Sequence, residues 1–415
     1  MVHITAANSI DSTSPDALTA SGPDTLIVDA DAFIIDETAG VAARLDGAWT
    51  IRINGEVGTF ANNFAIDLAP DSPADTSKII IGKRGDVFGS NAALNLSQPV
   101  TITNFGTITS GIGTPTIKGN FETHIINAGF LFGDVLTAEE NVSFTNFKKV
   151  GHHIKNGTVV GVIDLDGGDD HFTGGAKSET VIDGAGADTY KLGGGNDRFI
   201  AVNTGSATGA DAVSAGKGID TYDASSSVGF FINLDAVAHL LAAHSVLGDT
   251  GSDTVTGFEN VIGGSSDDLM FGSSGANSLS GGGGADNLFG LGGRDILTGG
   301  ANGDTFHFTS LSDSGPKASQ RDVITDFTQG SPGVGDVIDI SAIDAKTGAS
   351  NPGDDDFTFI GVQNFTGAKG QLRESFSNGN TIVSGDVNGD GHADFSIALK
   401  GLFLLSGTPG VDFIL

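Results

Sequence analysis

The sequence predicts an all-β protein in which a right-handed parallel β-helix runs into parallel β-rolls and ends in a β-sandwich-like cap. Two observations support this fold class. Short apolar strands recur at intervals of about 18 to 27 residues through the first 160 residues, which is close to one coil of a β-helix. Further on, a glycine-rich unit of nine residues repeats in two blocks, and repeats of this kind build solenoids.

Composition sets the first limits on function. The chain has 415 residues, no cysteine, and 51 Asp and Glu against 20 Lys and Arg, for a net charge of −31. The lack of cysteine excludes disulfides and thiol chemistry. The acidity argues against nucleic acid binding, and no apolar run is long enough for a membrane-spanning helix. A compact state this acidic repels itself, and bound cations would relieve the repulsion.

The first 160 residues predict the β-helix. Apolar strands alternate with turns, and the strand centres lie near Ile27, Ile53, Ile80, Ile102, Ile126 and Phe144. The pattern I-x-N-x-G-x-[I/L] occurs at 102–108 and again at 125–131, and is similar to the rungs of secreted surface β-helices. Short alternating strands also suit a β-sandwich, which is the alternative fold for this region.

The nonapeptide blocks cover residues 165–200, with four units, and 263–307, with five units. Glycines at the first positions permit strained turns and close stacking of coils. The eighth position is apolar and predicts a short strand that points inward. The sixth positions are Asp170, Glu179, Asp188, Asp197, Asp268, Asn277, Asp286, Asp295 and Asp304. Three weaker units are centred on Asp211, Asp220 and Asp253.

The unit G-G-x-G-x-D-x-U-x, in which U is a large apolar residue, resembles the RTX (hemolysin-type) calcium-binding repeat. The resemblance implies two units per coil and Ca²⁺ ions between stacked carboxylates, with glycine carbonyl oxygens completing a shell of about six oxygens. The implied stacks are Asp170 with Asp188, Glu179 with Asp197, Asp268 with Asp286 and Asp304, and Asn277 with Asp295. The predicted glycine ligands are Gly184, Gly186, Gly193, Gly195, Gly282, Gly284, Gly290 and Gly293. The alternative is a metal-free solenoid in which Asp only closes turns.

Two positions in these stacks depart from the pattern. Glu179 has a longer side chain than Asp, and Lys177 stands where a glycine is expected. Asn277 is neutral. We expect weaker calcium binding in both rows.

A further calcium loop is predicted in the C-terminal part. Its oxygen-bearing residues Asp386, Asn388, Asp390 and Asp394 alternate with other residues and resemble the start of an EF-hand loop. The acidic residue expected at the twelfth position is absent, because residue 397 is Ile. The alternative is a hairpin turn of Asp, Asn and Gly without a metal.

The C-terminal region carries a second resemblance. Residues from about Gly248 to Leu415, including RDVITDF and GDVIDIS, resemble the C-terminal domain of serralysin-type secreted metalloproteases. This implies a type I secretion substrate whose uncleaved signal lies at Asp412, Phe413, Ile414 and Leu415. The protease itself is not predicted, because none of the nine histidines is followed by Glu. The first residues lack the basic start and apolar core of an ordinary export signal, which fits another export route.

These features divide the chain into five predicted segments. They are the β-helix (1–160), the first RTX block (161–233), a helical insertion (234–247), the second RTX block (248–307) and the cap with the secretion signal (308–415). The insertion is predicted as an amphipathic helix because its apolar residues follow a helical period, with Gly248 after the end.

The predicted function is that of a secreted protein whose folding is driven by extracellular Ca²⁺, with a structural, adhesive, surface-layer or matrix role. The predicted partners are the type I secretion machinery and either an anionic cell-surface polysaccharide or further copies of the chain, with no nucleic acid and no membrane span. One basic cluster suits an anionic glycan or lipopolysaccharide, or alternatively a solvated turn, and it consists of Lys148, Lys149, His152, His153 and Lys155.

The alternative function is a polysaccharide-modifying enzyme, a lyase, epimerase or hydrolase, on the β-helix. Such an enzyme needs paired carboxylates, or a carboxylate with Lys or Arg, in a groove. The candidates are Asp164, Asp166, Lys148, Lys149 and Arg84, and no spacing singles them out.

Overall fold

The computed structural model describes residues 1–415 except 13–15, 39, 61–62, 71–73, 112–113, 120, 138–140, 151–152, 203–208, 237–244, 249–250, 331–333 and 347–354. The described chain is all-β, as predicted, apart from one short 3₁₀ turn at Ala6–Asn8. Within that part of the chain, no helix is long and apolar enough to cross a membrane. Two compact units are present, Met1–Asp220 and Thr221–Leu415.

The first unit consists of short strands, and its coils are built from them in sequence order. In chain order the strands are β1 (Val2–Ile4), β2 (Ile10–Ser12), β3 (Leu18–Ser21), β4 (Asp24–Val28), β5 (Phe33–Asp36), β6 (Ala43–Asp46), β7 (Trp49–Ile53), β8 (Glu56–Thr59), β9 (Phe64–Ala69), β10 (Ser77–Ile81), β11 (Asp86–Gly89), β12 (Ala92–Leu96), β13 (Val100–Asn104), β14 (Thr107–Ser110), β15 (Pro115–Gly119), β16 (Thr123–Asn127), β17 (Phe130–Phe132), β18 (Asp134–Thr137), β19 (Val142–Thr145), β20 (Phe147–Val150), β21 (His153–Asn156), β22 (Thr158–Val160), β23 (Ile163–Asp164), β24 (His171–Thr173), β25 (Thr180–Ile182), β26 (Thr189–Gly194), β27 (Arg198–Ile200) and β28 (Ala212–Lys217).

Each coil of the N-terminal part contributes one strand to each of three parallel sheets. Sheet A contains β1, β4, β7, β10, β13, β16, β19, β24, β26 and β28. Sheet B contains β2, β5, β8, β11, β14, β17 and β22. Sheet C contains β3, β6, β9, β12, β15, β18, β23, β25 and β27. This arrangement is a parallel β-helix, and it excludes the β-sandwich alternative for the described strands.

The core of the β-helix is a stack of apolar side chains taken from equivalent positions in successive coils. In sheet A, Ile51, Ile79, Ile102 and Ile125 follow one another in register and are buried. Their neighbours along each strand point outward, since side chains alternate across a strand. The apolar period of the sequence is therefore the coil period of the solenoid.

A ladder of buried amides lies at one turn of the β-helix. The Nδ2 of Asn104 donates to Asn127 Oδ1 at 2.9 Å, and the Nδ2 of Asn127 donates to Asn146 Oδ1 at 2.8 Å. Asn146 in turn donates to Glu179 Oε1 at 2.7 Å. Asn104 and Asn127 are the asparagines of the two I-x-N-x-G-x-[I/L] patterns. The ladder therefore joins the β-helix to the first nonapeptide block.

The coil changes from three strands to two where the nonapeptides begin. Sheet B ends with β22 at Val160, and the following coils alternate between sheets A and C alone. Phe172 pairs with Tyr190, and Val181 pairs with Phe199, so one coil spans two nonapeptides. This is the β-roll that the repeat implies.

The second unit continues the two-sheet pattern and adds antiparallel strands. Its strands are β29 (Thr221–Asp223), β30 (Phe230–Asn233), β31 (Ser245–Gly248), β32 (Gly251–Thr256), β33 (Asn260–Ile262), β34 (Leu269–Ser273), β35 (Ser278–Gly283), β36 (Asn287–Leu291), β37 (Ile296–Ala301), β38 (Thr305–His307), β39 (Val323–Ile324), β40 (Val337–Asp339), β41 (Thr358–Phe359), β42 (Gln371–Ser377), β43 (Asn380–Asp386), β44 (Phe395–Lys400) and β45 (Phe413–Ile414).

Parallel pairing runs through the second nonapeptide block and into the cap. One stack is β30, β34, β36, β38, β40 and β45, and the other is β29, β33, β35, β37 and β39. The cap adds an antiparallel sheet of β42, β43 and β44, and β44 pairs with β39 in parallel.

The predicted helical insertion needs a correction at its C-terminal end. Residues 245–247 belong to β31, which pairs antiparallel with β30 and with β32. A short apolar segment with a helical period can form a strand when an adjacent strand offers backbone hydrogen bonds. Residues 237–244 lie outside the described residues, and the division of the chain into five domains stays a prediction.

Candidate calcium sites

The sixth positions of the nonapeptides are buried although most are acidic. All twelve predicted positions, the three weaker units included, are classed as buried, and Asp170, Asp220 and Asp295 are 0% exposed. Charged side chains are rarely buried unless they are paired or bind a metal. These carboxylates therefore need partners inside the coils.

In the first block, one oxygen of each carboxylate bonds to the preceding coil. The backbone N–H of Asp170 donates to Asp188 Oδ1 at 2.6 Å, and that of Asp188 donates to Asp211 Oδ1 at 2.7 Å. On the other side of the roll, Glu179 donates to Asp197 Oδ1 and Asp197 donates to Asp220 Oδ1, both at 2.8 Å. The stacking predicted from two units per coil is therefore present.

The second block repeats this geometry. The backbone N–H of Asp268 donates to Asp286 Oδ1 at 2.8 Å, and that of Asp286 donates to Asp304 Oδ1 at 2.9 Å. Asn277 donates to Asp295 Oδ1 at 2.8 Å. Each block thus has two rows of side-chain oxygens, one on each side of the roll.

The rows of the second block extend beyond the nonapeptides. Asp295 donates its backbone N–H to Asp322 Oδ1 at 2.8 Å, and Asp304 donates to Asp336 Oδ1 at 2.9 Å. Both added carboxylates are buried, and the sequence analysis missed them. The signal was present, because Asp322 and Asp336 each precede a buried Ile by two residues, as Asp precedes U in the repeat.

Several of these carboxylates have a buried second oxygen that accepts no hydrogen bond, whereas Asp188 Oδ2 and Asp268 Oδ2 each accept one. Buried oxygens without a hydrogen-bond partner in the described part of the chain are Asp170 Oδ2, Glu179 Oε2, Asp197 Oδ2, Asp286 Oδ2, Asp295 Oδ2, Asp304 Oδ2 and Asp322 Oδ2. A Cβ placed on Gly281 would overlap Asp286 Oδ2 and lie 2.6 Å from the Gly299 carbonyl oxygen. The first glycine of the unit thus leaves room where a carboxylate and a carbonyl oxygen converge. An all-oxygen donor set of this kind fits Ca²⁺.

Other predicted glycines lie where coils come closest. Gly186 has φ of 152° and Gly282 has φ of 104°, conformations that L-residues rarely adopt. A Cβ on Gly186 would overlap the carbonyl oxygen of Gly168 in the preceding coil. The close approach of coils explains these glycines, and their role as calcium ligands stays a prediction.

The electrostatic state of the rows follows from their burial. Burial raises the pKa of Asp170, Asp286, Asp295 and Asp304 to about 7, with neighbouring carboxylates as a lesser cause. Burial also raises the pKa of Glu179 to about 8, against the lowering effect of the Asn146 amide. A metal-free fold therefore holds protons near neutral pH, which a bound cation would displace.

We expect calcium affinity to rise with pH through the range of these pKa values, from about 6 for Asp197 to about 8 for Glu179. The metal-free fold binds protons that the calcium-bound and unfolded states lack, so it loses stability as pH rises through this range. Calcium titration in weak buffer should release more protons per ion at the lower end of the range than above it. Equal affinity and no proton release at the lower end would contradict this assignment.

A further carboxylate, that of Asp183, lies beside the first row. Ligand oxygens of Asp183, Asp188 and Asp211 all lie within 4.8 Å of one another, and the three residues are buried. Tyr190 donates its hydroxyl to Asp188 Oδ2 at 3.1 Å and accepts from the Gly184 N–H at 3.2 Å. The sequence analysis missed Asp183 because it occupies the first position of its unit, where glycine is expected. An acidic residue at that position was the available signal.

Asp253 and Asn277 differ from the other members of the rows. Asp253 lies within a strand, β32, where it is buried and where β32 pairs antiparallel with β31. Asn277 accepts the N–H of Ser273 at 2.8 Å and donates Nδ2 to the Glu259 carbonyl at 3.1 Å. Its amide is therefore satisfied by the chain itself.

The predicted C-terminal loop lies in the hairpin between β43 and β44. Asp386 accepts the N–H groups of Gly389 and Gly391 at 2.7 and 2.9 Å. Asp394 accepts the N–H of Val387 at 2.8 Å and the side-chain amide of Asn388 at 2.7 Å. Asp390 Oδ1 accepts the N–H of His392. These bonds close the turn, and a calcium ion in this loop stays a prediction.

The residues of the predicted secretion signal are partly built into the cap. Asp412 and Phe413 are buried, and β45 pairs in parallel with β40. Asp412 Oδ2 accepts the N–H of Ser406 at 2.6 Å and the side-chain amide of Gln329 at 3.2 Å. Ile414 is exposed.

The candidate catalytic residues do not converge on one site. Arg84 lies 3.4 Å from Asp31 at the turn before β11. Lys148 lies over the ring of Phe105. Asp164 accepts the N–H of Asp166 at 3.1 Å at the start of the first roll. These contacts place the candidates in three separate neighbourhoods.

Buried rows of acidic side chains between glycine-rich two-strand coils define a calcium-binding β-roll protein. Residues 164–199 match the family model of the RTX calcium-binding nonapeptide repeat in four copies, and residues 212–414 match that of the peptidase M10 serralysin C terminal. No curated protein matches the chain. The chain therefore carries RTX calcium-binding nonapeptide repeats followed by a C-terminal domain of the serralysin type.

These matches fix the general properties of the protein. It binds Ca²⁺ through its nonapeptides, and it is a secreted, extracellular protein of the kind exported by type I secretion. Neither matched region is a catalytic protease domain.

Proposed function

We propose that this protein has a structural or adhesive role outside the cell, in a surface layer or matrix, with calcium as a permanent structural ligand. The observation that carries the proposal is the contrast between the buried acidic rows and the outward faces of the β-helix. The acidic rows are buried between coils, so calcium there serves the fold. The outward faces of the β-helix instead carry exposed apolar side chains, including Phe60 at 69% and Ile154 at 63%.

Such outward side chains suit association with another surface. Phe60 contacts the ring of Phe88 at 5.1 Å between centroids on sheet B, and Val160 is exposed at the end of the same sheet. Contiguous exposed apolar groups on a soluble protein commonly mark an interaction site. Cell-surface association, binding to an anionic polysaccharide and self-association are all forms of this proposed role.

A second candidate function is modification of a polysaccharide by the β-helix. The observation that favours it is a groove of about 450 Å³ on sheet A, lined in part by Trp49, Lys78, Thr101 and His124. His124 Nε2 lies 3.4 Å from Glu122 Oε1 at its edge. A basic residue, an imidazole and a carboxylate in one groove could bind an acidic sugar and move a proton.

One experiment separates the two roles. We expect the calcium-loaded protein to sediment with bacterial cells, to be released by a chelator, and to leave the chain length of added polysaccharides unchanged in light scattering. Shortened or unsaturated polysaccharide would instead identify an enzyme. Absence of sedimentation together with a monomer in analytical ultracentrifugation would contradict the structural role.

A further inference from the structure

A small hairpin interrupts the parallel coils of the β-helix. Strands β20 and β21 pair antiparallel between β19 and β22, and Lys148 lies directly opposite Lys155. The Nζ atoms of the two lysines lie 4.8 and 5.6 Å from the centroid of the Phe105 ring. Lys155 Nζ also lies 3.4 Å from the Phe105 carbonyl oxygen. Two ammonium groups therefore converge over one aromatic ring.

This convergence is unusual for the chain. Like charges directly opposite one another destabilise an antiparallel pair, and Lys and Arg together number 20 against 51 Asp and Glu. Contact with the ring face compensates each ammonium group in part. An anion bound between the two nitrogens would compensate both.

Aromatic side chains continue the surface on the next coil. Phe105 precedes Thr107 by two residues, and Thr107 is in register with Phe130 of β17. The rings of Phe130 and Phe132 stack at 6.4 Å with an interplanar angle of 20°, and each residue is 37% exposed. The outward face of sheet B thus carries two exposed aromatic side chains on the coil that follows Phe105.

We propose that this lysine–aromatic surface, formed by Phe105, Phe130, Phe132, Lys148 and Lys155, binds an acidic polysaccharide. The ammonium groups pair with sugar carboxylates, and the ring faces pack against the apolar C–H faces of the sugar rings. The inference rests on the proposed adhesive function and names the partner and the surface that meets it.

Charge favours a polysaccharide over the other polyanions. Double-stranded DNA carries one charge per about 1.7 Å of its axis, and its binding proteins neutralise many phosphates. A protein of net charge −31 would repel such a polymer everywhere except near a few lysines. An anionic membrane would oppose the same acidic chain over a still wider area. An acidic polysaccharide separates its carboxylates by whole sugar rings, so two lysines can engage it locally.

Lys149 provides a matched control. It lies on the same strand as Lys148 and is exposed, and its side chain points to the opposite face of the hairpin because successive side chains alternate. Substituting Lys149 removes one charge of the same kind without touching the proposed surface. Far-UV circular dichroism in calcium verifies that each variant has folded as the wild type does.

The test uses the full calcium-loaded chain and short hyaluronan oligosaccharides, which carry glucuronate and stay soluble with calcium. We expect calorimetry to give a Kd about tenfold higher for the Lys148→Gln, Lys155→Gln double variant, the effect of losing two charge contacts. Lys149→Gln should change Kd by less than about twofold. Neutral dextran should not bind.

Three outcomes would overturn the inference. Unchanged binding by the double variant would place the site elsewhere. Lysine-dependent binding of single-stranded DNA or phosphatidylserine vesicles as tight as that of hyaluronan would assign a different partner. Failure of the wild type to bind hyaluronan, while it still sediments with cells, would refute this surface and leave the adhesive function standing. Absence of cell sedimentation together with a monomer in analytical ultracentrifugation would refute the proposed function separately.

Discussion

Removing calcium is expected to unfold the nonapeptide blocks, with a loss of more than half of their β-sheet signal in circular dichroism. The reason is the burial of carboxylates whose second oxygens face other oxygens rather than donors. Without a cation these groups must hold protons or repel one another, and calcium-binding free energy becomes folding free energy. In the cytosol, where free Ca²⁺ is low, the blocks would stay unfolded and suited to export.

Tryptophan and tyrosine emission let this experiment distinguish the β-helix from the blocks. The one tryptophan, Trp49, is buried in the β-helix, where its Nε1 donates to the Asp46 carbonyl at 3.0 Å. Of the two tyrosines, Tyr190 lies in the first block and donates to Asp188, and Tyr222 is buried in β29. We expect chelation to change the tyrosine signal strongly and the tryptophan signal less, because the β-helix core is apolar and its amides bond to one another.

The control for this prediction is Mg²⁺, which demands a smaller octahedral shell and should not restore the signal. Restoration by Ca²⁺ alone would support the assignment of the rows. A circular dichroism spectrum that does not change with a chelator would contradict it and favour the metal-free solenoid.

Local periodicity explains what could be predicted from the sequence. Residues 18 apart, such as Asp268 and Asp286, are bonded because two complete units separate them. Asp295 and Asp322 are 27 apart, and Asp304 and Asp336 are 32 apart, because inserted loops lengthen those coils. The spacing therefore does not reveal Asp322 and Asp336, although their carboxylates extend the same rows.

Other features depend on tertiary pairing that no local pattern encodes. The apolar period of 1–160 predicts the coils, yet it does not distinguish a coil of three strands from a coil of two. In either coil, every second side chain of a strand is buried. The helical period of 234–247 predicts a helix, yet residues 245–247 belong to a strand because β30 and β32 offer hydrogen bonds. Asp183 departs from the glycine of its unit, so pattern matching passes over it.

The second large effect concerns a single charge in the second block. The Asp286→Asn variant should bind calcium much more weakly, so that the calcium midpoint of folding rises by about tenfold or more, the loss expected when one charged ligand becomes neutral. An amide keeps the acceptor that receives the Asp268 N–H. The substitution removes the negative charge of the carboxylate. Its second oxygen, Oδ2, occupies the space that a Cβ on Gly281 would need.

Without calcium, the same substitution should not lower the stability of the fold. At neutral pH the buried Asp286 carboxyl, with its pKa raised to about 7, opposes the metal-free fold, and a neutral amide does not. Denaturant unfolding in chelator should therefore show Asp286→Asn as no less stable than the wild type. The exposed Asp11→Asn, in β2 of the β-helix, is the control and should change little in either condition. A loss of stability both with and without calcium would mean that Asp286 only closes a turn.

Asn277 shows why this reversal is expected. It stands at a sixth position in the same block, and its amide is satisfied by the Ser273 N–H and the Glu259 carbonyl. A neutral residue can therefore occupy the row without an ion. The reverse substitution, Asn277→Asp, would place a carboxylate in register with Asp295. It should thus make folding of that row more dependent on calcium, so the two variants should shift the calcium midpoint in opposite directions.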